Sequence, residues 1–169
     1  MTGRLHKGDE NGDTQYAYAS LVLRSKIAYY GHSNTAPSLE IEESGKDKKR
    51  RFVFTCPENN VIIGQMHEGD ENGHTYYKHA EFYLNNNLIT TENHKWSDWV
   101  QESGKKSKGL SEFICPLNTV ITGREHSGDE NGETRYRYSE IFMAINGNKI
   151  KLFTTDSFTT EKIKESSAN

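Results

Sequence analysis

One block of sequence is written three times in this chain of 169 residues, and this repetition constrains the fold more than any other feature. The block reads Gly-x-x-His-x-Gly-Asp-Glu-Asn-Gly-x-Thr-x-Tyr, and its copies begin at Gly3, Gly64 and Gly123. The copies are separated by 61 and then by 59 residues. Because self-similarity at a fixed period is the signature of a repeat architecture, the sequence predicts a single domain built from three related units.

Two shorter blocks share this period. Residues 43–46 (Glu-Ser-Gly-Lys) recur at 102–105, and a decayed version follows at 165–168. Residues 54–57 (Phe-Thr-Cys-Pro) recur as Phe-Ile-Cys-Pro at 113–116. These blocks place the predicted units at residues 1–60, 61–119 and 120–169.

The Phe-x-Cys-Pro segment closes the first two units and is not found a third time. Met1 and Asn169 both fall at the point of the cycle where this segment belongs. The closing strand is therefore expected to be absent at one seam, which leaves a sheet edge open. Homo-oligomerisation through that open seam is one expected consequence.

The secondary structure is predicted to be all β. Short runs of β-branched and aromatic residues, such as Phe52–Phe54, Val61–Ile63 and Ile141–Met143, are separated by clusters of Gly, Asn and Ser. No helical period is sustained. Three such units predict a pseudo-threefold fold of the β-trefoil or β-prism type, with a small propeller-like ring as the alternative.

The repeated block itself predicts a β-hairpin, because Asp-Glu-Asn-Gly supplies the residues that tight turns require. A three-residue loop, with Asp9 at the start of the turn and Gly12 in the left-handed region, puts His6, Thr14 and Tyr16 on one strand face. A two-residue Asn-Gly loop would split this set. We favour the first register because the face that it collects is the one repeated in all three copies.

The direction in which this face points follows from the apolar residues further along the same strand. Leu21 and Leu23, like their counterparts in the other units, have the opposite parity to Tyr16. Unless a bulge intervenes, the core lies on the leucine face and the His/Thr/Tyr face is expected to look outward. A polar core layer is the alternative reading of the same residues.

An outward polar and aromatic face suits a sugar, whose hydroxyls need paired donors and acceptors and whose C–H face packs on a ring. Three equivalent sites would add avidity, so the sequence predicts a multivalent, lectin-like protein that binds glycans or glycoconjugates. Arg4 and Arg124, with Gln65 in the middle copy, could add donors. The predicted ligand-binding residues are His6, Asp9, Asn11, Thr14, Tyr16, His67, Asp70, Asn72, Thr75, Tyr77, His126, Asp129, Asn131, Thr134 and Tyr136.

Two other functions fit the repeat. The first is a non-enzymatic assembly or targeting module, such as a toxin subunit or the tip of a phage or surface appendage, in which the block is only a structural hairpin. The second is a calcium-stabilised β domain with ligands from Asp9, Glu10 and Asn11, although the strict calcium-loop pattern is missing. We predict no catalytic site, since a triplicated constellation does not provide the asymmetry that catalysis needs, and no resident cofactor or metal.

Charge and composition exclude several partners. The net charge is −3 with a pI near 6.2, which argues against nucleic acid. No apolar stretch is long enough to span a bilayer and no signal-peptide core follows Met1, so the chain is expected to be soluble and cytoplasmic as synthesised, with later release or a surface role left open. Cys56 and Cys115 are too few for a disulfide framework and are expected to be buried thiols.

In its threefold period, strand content and repeated polar and aromatic residues, the sequence resembles three-repeat β lectins of the trefoil or prism type. The Gln-x-Trp signature of ricin-like trefoils and the Gln-x-Asp-x-Asn-x-Val-x-Tyr signature of monocot prism lectins are both missing. The resemblance is therefore one of architecture, and it implies no family membership and assigns no binding residue.

Overall fold

The computed structural model describes residues 1–8, 12–23, 26–30, 38–42, 51–68, 74–102, 110–128 and 132–164. All regular structure in these ranges is β, which confirms the predicted class. No helix long and apolar enough to cross a membrane occurs in them.

The strands fall into three groups that follow the repeats. The first group is β1 (Gly3–Lys7), β2 (Asp13–Tyr18), β3 (Leu21–Leu23), β4 (Lys26–Ile27), β5 (Tyr29–Tyr30), β6 (Ser38–Glu42) and β7 (Arg51–Thr55). The second is β8 (Asn60–Glu68), β9 (His74–Leu84), β10 (Asn87–Trp96), β11 (Val100–Gln101) and β12 (Leu110–Ile114). The third is β13 (Thr119–Ser127), β14 (Glu133–Ile145), β15 (Asn148–Lys151), β16 (Phe153–Thr154), β17 (Phe158–Thr159) and β18 (Ile163–Lys164).

Each copy of the repeated block forms an antiparallel hairpin, β1–β2, β8–β9 or β13–β14, and the three share one register. In β1–β2, His6 lies opposite Thr14 and Lys7 opposite Asp13, so residues 8–12 connect the strands. This register differs by two residues from the predicted one, in which His6 would lie opposite Tyr16. The predicted parity is nevertheless correct, because a shift of two residues keeps the same side chains on one face. The predicted turn residues 9–11 lie outside the described residues.

The Phe-x-Cys-Pro segments supply a third strand to two of these hairpins. Strand β12 pairs with β1, and β7 pairs with β13, both antiparallel. Within the described ranges β8 pairs with β9 alone. The strands make sheets of five, ten and three strands in the described part of the chain, and none closes into a barrel.

In the part of the chain that the structure describes, the apolar side chains form two buried clusters. One gathers Met1, Ile62 and Ile121, which occupy equivalent places in the three copies, with both cysteines and the block's tyrosines. The amino group of Met1 donates to the Ile62 carbonyl at 2.9 Å, and the Ile121 amide donates to the Met1 carbonyl at 3.2 Å. The other cluster lies further along the same strands and includes Leu84 and Ile141. The limited apolar content is thus divided between two thin cores.

One long strand contributes buried side chains to both clusters, and its pairing contains a bulge. The pairing of β13 with β14 shifts register between Ile121 and Gly123, and that of β8 with β9 shifts between Ile62 and Gly64. Along β14, Tyr136 is buried before the shift, and Ile141 and Met143 are buried after it, although they have the opposite parity. Both faces therefore turn inward at different points of one strand.

Candidate functional site

The histidine and threonine of each repeated block form a hydrogen-bonded pair across the hairpin. The separations between His Nδ1 and Thr Oγ1 are 2.7, 2.9 and 2.9 Å for the pairs His6–Thr14, His67–Thr75 and His126–Thr134. All three threonines are buried, and so are His6 and His126, whereas His67 is half-buried. The expectation that this face looks outward is therefore wrong. In β14 the buried positions change parity between Tyr136 and Ile141, beside the register shift of β13.

The block's tyrosines pack inward against the phenylalanines of the Phe-x-Cys-Pro strands. Phe54 stacks on Tyr77 with ring centroids 4.4 Å apart, and Phe113 stacks on Tyr136 at 4.6 Å. Tyr77 and Tyr136 are each 2% exposed, while Tyr16 is half-buried. These rings fill volume in the core, as the polar-core alternative anticipates.

A charged cluster links the first and third hairpins. Glu102, which directly follows β11 in the second unit, lies 3.3 Å from Nη1 of Arg4 and 3.4 Å from Nη2 of Arg124. Arg124 also donates through Nη1 to the Tyr77 hydroxyl at 3.0 Å. All three charged side chains are buried. Their contacts span the hairpins and hold them in a fixed relative position.

Burial alone would raise the pKa of Glu102, but the two guanidinium groups and the Thr134 hydroxyl outweigh it and hold this pKa well below its ordinary range. The equivalent of the two arginines in the middle hairpin is Gln65, whose buried Oε1 has no hydrogen-bond partner among the described residues. The repeated position thus carries charge in two copies and an uncharged amide in the third.

The remaining predicted residues are the turn residues Asp9, Asn11, Asp70, Asn72, Asp129 and Asn131, which lie outside the described residues, as do the predicted calcium donors. Among the side chains that the structure describes, no group of three or more His, Cys, Asp or Glu is placed to hold a metal ion. The structure joins the His and Thr of each block by a hydrogen bond and packs the block's Tyr against the core.

An open cleft lies beside a second bulge, which the repeat did not predict. The pairing of β10 with β14 shifts between Glu92 and Lys95, and Asn93 adopts a φ of 53° there. The bulge separates two adjoining pockets of about 300 and 480 Å³, and His94 lines both. A cleft with a few convergent polar groups is the usual form of a small-ligand site.

The larger pocket combines paired polar groups with an aromatic ring. The Asn93 amide donates to Oε2 of Glu140 at 2.6 Å, and Lys151 pairs with Oε1 of the same carboxylate. The Tyr138 ring and the exposed Leu117 also line this pocket. An amide and a carboxylate held side by side can donate to and accept from adjacent hydroxyls.

The smaller pocket is polar. His94 contacts the Ser139 hydroxyl, which in turn lies 2.8 Å from that of Thr122. Burial, together with the neighbouring Arg137, lowers the pKa of His94, so its imidazole is neutral near pH 7. A neutral imidazole offers one donor and one acceptor. Glu140 has a counterpart in Glu81 of the middle unit. Its contact with Asn93 joins two different units, however, and the repeat contains no signal for such a contact.

Two further groups of side chains, the tryptophans and the cysteines, do not provide an open site. Trp96 and Trp99 hold the Arg135 guanidinium against their rings at 4.9 and 4.7 Å, and Arg135 is paired with Glu125. Cys56 and Cys115 are free and buried, which confirms the expectation of buried thiols. Burial raises the pKa of each thiol to about 12.

No family model matches the chain, and no curated protein or solved structure matches it either.

Proposed function

We propose that the protein is a non-enzymatic carbohydrate-binding module, and that a sugar binds in the cleft beside the β10 bulge. The observation that carries this proposal is the Asn93–Glu140 pair, held next to the Tyr138 ring in an open pocket of about 480 Å³. A pyranose ring presents adjacent hydroxyls on its edge and C–H groups on its face. The Asn93–Glu140 pair can hydrogen-bond to the hydroxyls on the edge of the sugar, and the Tyr138 ring can pack against the C–H groups on its face.

The absence of catalysis is part of the same proposal. A thiol with a pKa of about 12 stays protonated near neutral pH, so Cys56 and Cys115 are poor nucleophiles. The buried Glu102 carboxylate is held by two arginines, and its lowered pKa makes it a poor general acid or base near pH 7. Both observations favour binding over turnover.

We further propose a pseudo-threefold build of the trefoil type. The common register of the three hairpins and the meeting of Met1, Ile62 and Ile121 support this arrangement. Because the block's His, Thr and Tyr are engaged inside the hairpins, a site in every repeat would have to use the turn tips. Multivalency therefore depends on Asp9, Asp70 and Asp129, with the adjacent asparagines.

A glycan array tests the proposal with matched variants. Glu140→Ala removes the carboxylate from the cleft, and Glu92→Ala is its control, because Glu92 lies opposite Glu140 on the neighbouring strand and likewise pairs with a lysine. We expect glycan binding by the wild type and the control, and loss of binding by Glu140→Ala.

The combined variant Asp9→Ala, Asp70→Ala and Asp129→Ala tests the turn tips separately. If it alone loses binding, the site lies at the turns and the cleft assignment is wrong. If the wild type binds no glycan on the array, the carbohydrate function itself is rejected.

A further inference from the structure

The first strand of the middle hairpin is more exposed than its counterparts. Each residue from Ile63 to His67 is in a more exposed class than its equivalents in residues 2–6 and 122–126. The largest difference is at Met66, which is 57% exposed, whereas the equivalent Glu125 is 4% exposed. The cause is the missing neighbour: β12 covers β1 and β7 covers β13, whereas β8 pairs with β9 alone among the described strands.

The glycine of the repeated block leaves space beside the strand for the backbone of a paired third strand. A Cβ placed on Gly3 or Gly123 would meet a backbone carbonyl oxygen of the covering strand at 2.5 or 2.7 Å. A Cβ on Gly64 would meet only the Lys78 side chain, at 3.6 Å, which is ordinary contact. Nothing in the described residues requires glycine at this position, yet the middle copy has one.

The burial of the repeated tyrosine differs among the three hairpins in the same way. Each covering strand brings a phenylalanine onto a tyrosine of the next hairpin, Phe54 onto Tyr77 and Phe113 onto Tyr136. A third strand on β8 would by the same geometry bring a ring onto Tyr16. Tyr16 is half-buried, whereas its two counterparts are 2% exposed.

The hydrogen bonds at the start of the edge are consistent with this geometry. The cysteine amide that follows each covering strand donates to Thr122 or Thr2, at 2.9 and 2.8 Å. The equivalent carbonyl, that of Ile63, accepts from the Tyr18 hydroxyl at 3.2 Å. In the middle copy the Tyr18 hydroxyl therefore donates to the carbonyl that accepts from a cysteine amide in the other two copies.

We propose that the β8 edge is a docking site for a strand of a second polypeptide, which adds antiparallel to β8 and carries a Phe-x-Cys-Pro-type sequence. The two occupied edges define the occupant: an extended segment with an aromatic residue opposite Gln65 and a small residue two positions later. Backbone hydrogen bonds supply affinity and the aromatic ring supplies selectivity, as in other cases of strand addition.

Peptides from the chain itself provide the probe. We would titrate the protein, under reducing conditions, with peptides of residues 50–57 and 110–116, and with versions in which Phe54 or Phe113 is alanine. The native peptides are expected to bind, and the alanine versions to bind roughly thirtyfold or more weakly, as expected for removal of a ring that becomes buried. Isothermal titration calorimetry measures both.

The variant Gly64→Val is the matched control on the protein side, because its side chain fills the space that the docked backbone needs. It should fold as the wild type does and lose peptide binding. Self-association that the native peptides disrupt would support the proposal and identify a second copy as the partner. The proposal is overturned if native peptides do not bind at about 1 mM, a concentration that corresponds to a binding free energy of about −4 kcal/mol, or if Phe→Ala peptides bind equally well.

Discussion

The hairpins β13–β14 and β8–β9 carry the same repeated block in the same register, and yet they differ in how much of the block is buried. In β13, every residue from Thr119 to His126 is buried, and the stretch from Gly123 to Ser127 pairs with β7. In β8, the stretch from Ile63 to His67 is half-buried or exposed. The hydrogen bond between His and Thr is 2.9 Å in both. The block therefore forms its hairpin unaided, whereas its burial depends on a third strand.

The largest loss of stability is expected when the phenylalanine of a covering strand is replaced by alanine. Phe54→Ala should lower the free energy of unfolding by about 3–5 kcal/mol, since Phe54 is buried and stacked on Tyr77. Phe158→Ala is the control, because Phe158 is mostly exposed beside Tyr18 and its loss should cost under about 1 kcal/mol. Denaturant titration measures both, and equal losses would refute the stated role of the covering strand.

A similar loss is expected at the cluster that joins the outer hairpins. Glu102→Gln leaves two buried arginines without their counter-charge, which should cost about 3–5 kcal/mol. Glu92→Gln breaks an exposed pair with Lys149, and its effect should stay below about 1 kcal/mol. If the two variants unfold at the same denaturant concentration, the cluster does not hold the hairpins together.

The same carboxylate predicts a response to acid. Because the folded-state pKa of Glu102 lies below its ordinary value of 4.5, its contribution is complete above that pH and is lost progressively as the pH falls further. The difference in stability between the wild type and Glu102→Gln should therefore be constant near neutral pH and narrow below about pH 4. Thermal unfolding at a series of pH values tests this, and a difference that widens on acidification would contradict it.

Smaller effects are expected at the repeated glycine. Gly123→Ala should destabilise the fold by about 1–3 kcal/mol, because the new Cβ would meet the Phe54 carbonyl oxygen at 2.7 Å. Gly64→Ala should be neutral or stabilising by up to about 1 kcal/mol. Equal destabilisation by the two substitutions would show that a strand already crowds β8.

Much of the fold follows from the sequence, for reasons visible in particular residues. Turn residues repeated at one spacing predicted the three hairpins, and the shared parity of His6 with Thr14 and Tyr16 was correct. The inward direction of that face could not be predicted, because the bulges before Gly64 and Gly123 have no local signature. The contact of Arg4 with Glu102 joins residues 98 positions apart, which spacing alone does not reveal.

The cleft could not be predicted from the sequence, for a different reason. Asn93 and Glu140 belong to different units and become neighbours only through the pairing of β10 with β14. Because this contact is not part of the threefold repeat, the repeated residues do not indicate it. The turn residues, which the repeat emphasised, remain a prediction about ligand contacts.

Hydrogen exchange at three equivalent backbone amides, those of Arg4, Gln65 and Arg124, tests most directly whether β8 is an open edge. The amides of Arg4 and Arg124 lie opposite Phe113 and Phe54 in the covering strands and should exchange slowly. Gln65 occupies the same place without a covering strand among the described residues, and we expect its amide to exchange about a hundredfold faster or more. Equal protection of all three amides would contradict an open edge and show that a strand already occupies it.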